Sequence, residues 1–223
     1  RRIPVVLLSN RVNGGRLPFV GVADFKGART ATNHLIALGH RRIAFIGIQY
    51  PERYSTLRER FAGYQRALKS AGIRYDPSLV LFGDREKLRR CGPRSSGHYE
   101  YRILKEFLQP PLRFTAAVAC NDSAALAACQ ALEEHGLRVP DDLSIIGFDC
   151  LRESQMRPVP LSTIAFDARR LGAAAARLSI ALSERGLDRE SLEYLVPPKL
   201  VMGATTKAVH AAKPSTPAGG VRI

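Results

Sequence analysis

Short apolar runs alternate with helix-like segments along most of this chain. The apolar runs lie at 3–8, 18–23, 43–48, 114–120 and 143–148. Between and after them, segments with helical spacing of apolar residues lie at 27–38, 55–71, 99–108, 121–135 and 167–184. This alternation predicts an α/β fold, in which parallel strands form a sheet with helices on both faces.

The helix predicted at 55–71 has the clearest pattern. Its apolar residues recur at steps of four, three, four and three along one face: Leu57, Phe61, Tyr64, Leu68 and Ala71. One continuous apolar stripe of this kind indicates an amphipathic helix packed on a core. Gly72 closes this helix, and Gly39 closes the helix at 27–38, because a helix commonly ends at a glycine in the left-handed conformation.

Two longer sequence motifs each join the end of a predicted helix to a predicted buried strand. They are His34-Leu-Ile-Ala-Leu-Gly-His-Arg-Arg-Ile-Ala-Phe-Ile-Gly47 and Val139-Pro-Asp-Asp-Leu-Ser-Ile-Ile-Gly-Phe-Asp149. In each motif the apolar strand continues along the chain to a glycine. Asp149 falls at the carboxyl end of the second strand, where open α/β sheets place their ligand contacts.

The chain is strongly basic, with 34 Lys and Arg residues against 20 Asp and Glu residues and a formal net charge of +14. Such a balance is compatible with a nucleic-acid partner. The basic residues are scattered as pairs, however, and no block of five or six like charges occurs. This pattern favours a solvated basic surface over a surface that reads a DNA groove.

Catalysis has little support in the sequence. The chain contains no GxSxG, GxxxxGK[ST] or HExxH motif, and no GxGxxG follows a strand. We therefore expect no enzymatic activity and no cofactor. The four cysteines form no CxxC pair and show no metal-ligand spacing with the five histidines. They are predicted to be reduced, structural residues of a cytoplasmic protein that holds no metal.

Together, the two motifs at 34–47 and 139–149 resemble the lac repressor/galactose repressor family of bacterial transcription regulators, specifically its effector-binding, periplasmic-binding-protein-like core. The resemblance extends over nearly all of residues 3–206. It implies two Rossmann-like subdomains with parallel sheets, joined by three crossovers, with a ligand in the cleft between them. No apolar run approaches the ~18 residues of a membrane helix, so no membrane contact is expected.

The resemblance also implies a division of the chain. It assigns 1–49 and 165–190 to the N-terminal subdomain, 50–163 and 191–206 to the C-terminal subdomain, and 207–223 to a disordered tail. Family members begin with a helix-turn-helix headpiece, a hinge helix and further strands. Ile3-Pro-Val-Val matches a strand in the middle of the first subdomain, which is therefore expected to be incomplete.

Three polar residues are the main candidates for ligand binding. By the resemblance, Asp149, Arg60 and Asn121 match positions that contact the effector. Each also has a purely structural interpretation: Asp149 as a salt-bridged or capping carboxylate, Arg60 as a solvated partner of Glu59, and Asn121 as a helix cap. We favour ligand contact for all three, whereas the neighbouring Asp122 is expected to do little more than cap the helix.

Two further positions depart from the family pattern. Where relatives often have an aspartate, this chain has Ala23, and Asp24 follows it, either at the ligand site or as a cap of the helix at 27–38. Phe166 takes a place where some relatives carry a ligand-binding glutamine, which makes the pocket more apolar. Both residues complete the predicted ligand-binding set.

These residues predict a function by resemblance. The chain is expected to bind a small-molecule effector, a sugar or a related polar molecule, and to form a homodimer. Effector binding would control operator DNA through a headpiece that these residues do not include. The alternatives are a periplasmic sugar-binding protein of a transporter, which shares the fold, and, more distantly, an α/β enzyme.

Overall fold

The computed structural model describes residues 5–12, 17–48, 51–52, 54–84, 86, 96–185 and 192–209. Its strands are β1 (Leu7–Leu8), β2 (Phe19–Val22), β3 (Ile43–Ile46), β4 (Val80–Leu81), β5 (Ala116–Ala119), β6 (Ser144–Phe148), β7 (Ser162–Ala165), β8 (Glu193–Val196) and β9 (Lys199–Val201). Its helices are α1 (Asp24–Ala37), α2 (Ser55–Ser70), α3 (Ser96–Phe107), α4 (Asp122–Glu134), α5 (Arg152–Gln155) and α6 (Ala168–Arg185), with a 3-10 turn at Pro77–Leu79.

The strands form two sheets. A six-stranded sheet has the order β4-β3-β5-β6-β7-β9, and a three-stranded sheet has the order β1-β2-β8. All pairs are parallel except β7 with β9. The chain passes between the sheets after β2, after β7 and after β8. The predicted α/β fold with two parallel-sheet units is therefore confirmed.

Strand pairing divides the chain differently from the expected map. Strand β3 pairs with β4 and β5, and α1 packs against α2 and against β5, β6, β7 and β9. Residues 24–46 thus belong with the six-stranded sheet, and the first crossover lies at Ala23 instead of near residue 49. Strand β8 pairs with β2, which places residues 193–196 in the smaller unit. An apolar strand pattern reports burial but does not identify the neighbouring strand, so the sequence could not assign these elements.

Two helices end as their glycines predict. At the end of α1, the Gly39 amide donates to Ile36 O and the His40 amide to Leu35 O, and Gly39 has a φ of +92°. This is the Schellman arrangement, in which a left-handed residue satisfies the last carbonyl groups. Gly72 closes α2 with a φ of +65°. Ala71 was predicted to lie on the apolar stripe of that helix but is exposed, because α2 has already ended at Ser70.

The sequence analysis predicts no strand at four places where the structure has one: β4, β7, β8 and β9. In β7, Ser162 and Thr163 are completely buried, and both hydroxyl groups are hydrogen-bonded. Buried polar groups need such partners, and they interrupt the apolar pattern by which a strand is predicted. The polar, glycine-bearing and basic stretch at 82–97, which by its composition is predicted to be a surface loop, falls largely outside the described residues.

The expected disordered tail is partly wrong. Residues 207–209 are held against the six-stranded unit: the Val209 amide donates to Leu38 O at 2.9 Å, and Lys207 donates through its amide to Ser144 Oγ at 3.1 Å. Lys207 Nζ also pairs with Asp141 at 2.7 Å. Residues 210–223 lie outside the described part of the chain, so the prediction of disorder there is not tested.

Candidate ligand-binding site

Three segments of the chain converge on the guanidinium group of Arg60. This residue lies in the second turn of α2, and its side chain is 11% exposed. Its Nε donates to Asp24 Oδ1 at 2.7 Å, and its Nη2 donates to Asp149 Oδ1 at 3.3 Å. Its Nη1 donates to the carbonyl oxygen of Cys120. Arg58, two residues earlier, instead donates to the carbonyl oxygen of Pro51.

A phenylalanine ring supports the flat face of this arginine. The Arg60 Cζ atom lies 3.6 Å from the ring centroid of Phe148, the last residue of β6. A cation held over an aromatic face is attracted by the electron density of the ring. Gly27 of α1 also lies against this ring, since an added Cβ there would be 2.6 Å from Phe148 Cε2. Ring, helix and hydrogen bonds together fix the guanidinium plane.

The parallel sheet explains why these residues meet. Cys120 and Asp149 directly follow β5 and β6, which are neighbouring strands, and the carboxyl ends of parallel strands share one edge of a sheet. The Asp149 amide donates to Ile164 O at 2.8 Å and so extends the pairing of β6 with β7 by one residue. Asp149 and Cys150 then have φ values of +106° and +57°. This left-handed pair turns the chain sharply away from the strand.

Burial and neighbouring charges shift the pKa values of the two carboxyl groups that contact Arg60. Burial raises the pKa of Asp24, and the neighbouring Arg60 opposes that change. The pKa of Asp149 is raised to about 6, mainly by burial, with Arg60 opposing and the negative charge of Asp122 adding to the effect. One guanidinium thus serves two acidic groups. Asp149, whose side chain is 28% exposed, is the one of the two that remains partly open to solvent.

Asn121 caps a helix at the same sheet edge. It precedes α4, and its side-chain oxygen accepts a hydrogen bond from the Ala124 amide at 2.8 Å. The capping interpretation is therefore confirmed, and a ligand contact from Asn121 would have to be donated by its NH₂ group. Whether Asn121 binds a ligand stays a prediction.

The two remaining predicted residues are Asp24, which binds Arg60, and Phe166, which lies just after β7. Asp24 is the first residue of α1, the N-cap position is Ala23 and no side-chain cap forms there, so the capping alternative for Asp24 is wrong. Its carboxylate instead binds Arg60. Phe166 follows β7, is half-buried and packs against the core, while the aromatic contact of Arg60 is made by Phe148.

Sequence reasoning missed the role of Asp122. This first residue of α4 is completely buried and accepts hydrogen bonds from Leu151 N at 2.8 Å and Ser154 Oγ at 2.6 Å. It also accepts one from Thr163 Oγ1 at 2.5 Å. The expectation that it only caps the helix is wrong, since Asn121 provides the cap. The signal in the sequence is weak: a carboxylate directly follows the capping Asn121, but the partners of this carboxylate come from β7 and from the segment after β6.

The two units meet at the start of α2. Tyr54 precedes this helix and provides no side-chain cap. Asn10 of the smaller unit takes that role across the boundary: its side-chain oxygen accepts from Thr56 Oγ1 at 3.3 Å and Thr56 N at 3.5 Å. The Arg11 amide donates to Ser55 Oγ at 2.8 Å. The helix that carries Arg60 is thus tied to the smaller sheet.

A cavity of about 290 Å³ lies beside this contact. It is lined by residues of both units, among them Ser9, Phe19, Asp24, Ser55 and Glu59. Asp24 is the residue that it shares with the Arg60 cluster, whereas Arg60 and Asp149 do not line it. The cluster, where three chain segments converge on one guanidinium, is the candidate ligand site, and the cavity is an adjoining space.

Two buried thiols, those of Cys120 and Cys129, are not poised for chemistry. Cys120 is buried, donates to Gly47 O at 3.3 Å and has a pKa raised to about 12 by burial. Cys129 is also buried, and burial raises the pKa of its thiol. Among the described residues, no cluster of three or more His, Cys, Asp or Glu side chains could hold a metal ion. Cys91 lies outside them.

Within the described part of the chain, no helix is both long and apolar enough to span a bilayer.

Comparison with known proteins assigns the chain to a family. Residues 32–206 match the periplasmic binding protein-like domain. The chain is 34% identical over 189 residues to the HTH-type transcriptional repressor PurR of Haemophilus influenzae, an alignment that covers 83% of this chain and 52% of the repressor. The chain thus spans about half the length of that relative.

Solved structures agree with the sequence match. A LacI family transcriptional regulator from Enterococcus faecium with bound ribose superposes with a TM-score of 0.77 at 26% identity, covering 93% of this chain and 72% of that one. The complex of transcriptional regulator CelR with cellobiose gives 0.75 at 28% identity, covering 90% and 58%. The chain therefore belongs to the periplasmic binding protein-like domain family, as this domain occurs in LacI-family transcriptional regulators.

Proposed function

We propose that this chain is the effector-binding core of a bacterial transcriptional regulator, and that its effector is a sugar or a related small polar molecule. The observation that carries the proposal is the position of Asp149. Its carboxylate lies at the carboxyl edge of the large sheet, partly open to solvent and oriented by Arg60 at 3.3 Å. An oriented, partly desolvated carboxylate is a strong acceptor for hydroxyl groups.

The charge balance favours a neutral ligand over an anion. Arg60 already faces two carboxylates, Asp24 and Asp149, so the cluster carries no surplus positive charge to attract an acid. Hydroxyl groups can donate to Asp149 and accept from remaining N–H groups of Arg60 or from the NH₂ group of Asn121. Phe166 would contribute an apolar wall. The similar regulators with bound ribose and cellobiose contain ligands of this hydroxyl-rich kind.

Ligand binding in such a site can move the two units relative to each other. The chain crosses between them three times, and Asn10 and Arg11 contact the start of α2 across the boundary. A ligand that binds one arrangement more tightly shifts the population toward it. In the whole protein, this shift would change the affinity of paired helix-turn-helix headpieces for operator DNA, with a homodimer of the core setting their spacing.

The main rival is a periplasmic sugar-binding protein of a transporter, because the domain family takes its description from such proteins. The similar proteins named above are transcriptional regulators or repressors, which favours regulation in the cytoplasm over transport. The same comparison, with the absence of enzyme motifs in the sequence, supports a role without catalysis.

Calorimetric titration with D-ribose and cellobiose tests the proposal on the 223-residue chain. We expect one of these or a related sugar to bind, and Arg60→Ala and Asp149→Ala each to abolish binding while the protein stays folded. Arg66→Ala is the matched control, because Arg66 lies exposed on the same helix. Undiminished binding by both site variants would refute the site, and failure of a broad sugar panel to bind would refute the effector class.

A further inference from the structure

Asp122 is a buried carboxylate that the proposed binding chemistry does not use. It is 0% exposed, and its two oxygens accept hydrogen bonds from Leu151 N, Ser154 Oγ and Thr163 Oγ1 at 2.8, 2.6 and 2.5 Å. A carboxylate removed from water in this way is tolerated only when donors replace its hydration. Two of the donors, Leu151 and Ser154, lie in the segment that follows β6, and Thr163 lies in β7, paired with Gly147 of β6. The carboxylate therefore holds that segment against α4 and β7.

The segment contains two residues in an unfavourable backbone conformation. Asp149 and Cys150 have φ values of +106° and +57°, and neither is a glycine. Residues with side chains keep such angles only where the surrounding structure enforces them. On one side, the Asp149 amide is fixed by its bond to Ile164 O. On the other side, the first amide after the pair is that of Leu151, which donates to Asp122. The left-handed pair is therefore held at both ends.

The strand before the turn also lies directly on Asp122. A Cβ added to Gly147 would lie 2.3 Å from Asp122 Oδ1 and 2.8 Å from Leu161 Cδ2. Only a glycine allows β6 to approach the carboxylate this closely. Asp122 is thus packed against the strand that ends at Asp149 and hydrogen-bonded to the turn that follows it.

We propose that Asp122 is a positioning residue of the ligand site, whose buried carboxylate holds the turn after β6 so that Asp149 faces Arg60. This inference rests on the proposed function, in which Asp149 is the main acceptor for the effector. Asp122 itself does not contact the ligand. It acts through the backbone of residues 149–151.

The ionisation of Asp149 reports the geometry of the turn without any ligand. The charged groups that face Asp149 are Arg60, Asp122 and Asp24. Burial raises the pKa of Asp149 to about 6, with Arg60 opposing and the two other carboxylates adding to the effect. Release of the turn would expose this carboxyl and lower its pKa toward the ordinary value of about 4. Carboxyl ¹³C NMR titration of the full chain measures that change, and amide exchange at Leu151 measures the turn itself.

Two substitutions at Asp122 separate its hydrogen bonds from its charge. In Asp122→Ala we expect the pKa of Asp149 to fall to near its ordinary value and the Leu151 amide to exchange at least about tenfold faster. In Asp122→Asn the side-chain oxygen can still accept from Leu151. That amide should stay protected within about threefold, while loss of the facing negative charge lowers the pKa of Asp149.

Thr205→Val is the matched control for a general loss of stability. Thr205 is 1% exposed and hydrogen-bonded to Ile145 O and Ser162 N, away from the turn. This variant should leave both the pKa of Asp149 and the exchange of Leu151 unchanged. A folded Asp122→Ala protein with both values as in wild type would overturn the proposal. If that variant does not fold in water alone, both values are measured in a stabilising osmolyte such as sucrose, which favours the compact state, and unchanged values there have the same consequence.

Binding measurements distinguish this proposal from the proposed function. If D-ribose, cellobiose and related sugars all fail to bind the wild-type chain, the effector proposal fails while the two NMR readouts still decide the role of Asp122. If one of these sugars binds, Asp122→Ala should weaken its affinity about tenfold or more. Equal affinity in a variant whose turn is released would overturn the positioning role.

Discussion

Gly63 of α2 lies directly against the backbone of Phe25 in α1. A Cβ added to Gly63 would lie 2.3 Å from the Phe25 carbonyl oxygen and 3.0 Å from the Arg29 amide nitrogen. The two helices can approach this closely only because residue 63 has no side chain. This contact lies one helical turn beyond Arg60, and the short distance between the helices lets Arg60 reach Asp24 at the start of α1.

Gly63→Ala should therefore separate the two helices and weaken the site. We expect a loss of about 1–3 kcal/mol in the free energy of unfolding, since backbone atoms cannot give way as side chains can. Gly172→Ala is the matched control, because Gly172 lies in α6 with open space around it. That change should stabilise the protein by about 0.5–1 kcal/mol through the better helix propensity of alanine. Urea denaturation of both variants tests the contrast, and equal effects would contradict the close-approach argument.

Arg60→Ala should destabilise the protein as well as abolish ligand binding. The substitution leaves the 5%-exposed carboxylate of Asp24 without its cation. Removal of one partner from a buried ion pair costs on the order of 3 kcal/mol. Adding Asp24→Asn to Arg60→Ala should restore part of that loss, because the unpaired charge is then removed. A double variant no more stable than the single one would show that Asp24 does not depend on Arg60.

Ligand affinity should depend on pH through Asp149. Its pKa is raised to about 6 in the folded protein, and the ionised form is the stronger acceptor of hydroxyl hydrogen bonds. Affinity for a hydroxyl-rich ligand should therefore be constant above about pH 7 and fall as the pH decreases through about 6. Calorimetry across this range tests it. Affinity that stays constant down to pH 5 would exclude a role for the Asp149 carboxylate.

Stability should fall on mild acidification because of His40. This residue is 3% exposed, with Nδ1 2.8 Å from Thr115 Oγ1 and Nε2 3.0 Å from Lys207 O. A carbonyl oxygen can only accept, so Nε2 carries the proton and Nδ1 accepts from Thr115. Burial lowers the pKa of His40 below its ordinary value of 6.5. The unfolded chain therefore binds a proton first, and the contribution of His40 is present above about pH 6.5 and lost as the pH falls.

Comparison of wild type with His40→Gln isolates this effect, because Gln cannot take up a proton while its amide can still donate to Lys207 O. Asp149 acts in the opposite sense, since its raised pKa makes the protein less stable as the pH rises from about 4 to about 6. Between pH 7 and pH 5.5, the melting temperature of wild type should therefore decrease relative to that of the variant, in which Asp149 acts equally. Parallel curves would refute the assignment to His40.

How far the sequence predicted the fold depended on how each element is buried. Helix α2 and strands β3, β5 and β6 have continuous or periodic apolar patterns, and the structure confirms them. Strand β7 was missed because its buried hydroxyl groups are satisfied by distant partners such as Asp122. The division into two units was misplaced at β3 and β8, because hydrogen-bonding partners between distant strands leave no mark in a local pattern.

The candidate site shows the same limit. Resemblance and the position at strand ends identified Arg60, Asp149 and Asp24, and the structure brings these three together. Asp122 was underestimated, since its importance arises from donors 29 and 41 residues away. The supporting ring was likewise not predicted to be Phe148, because its position over Arg60 depends on the packing of α1 over β6.

The most direct test of an effector site at Arg60 and Asp149 is a heteronuclear NMR titration of the 223-residue chain with D-ribose and cellobiose. The Arg60 Nε–H signal, the Asn121 side-chain NH₂ signals and the Asp149 carboxyl signal should shift together and saturate with one dissociation constant. Saturable binding of a sugar that leaves these three groups unchanged, with shifts confined to the cavity around Ser9 and Phe19, would contradict the account.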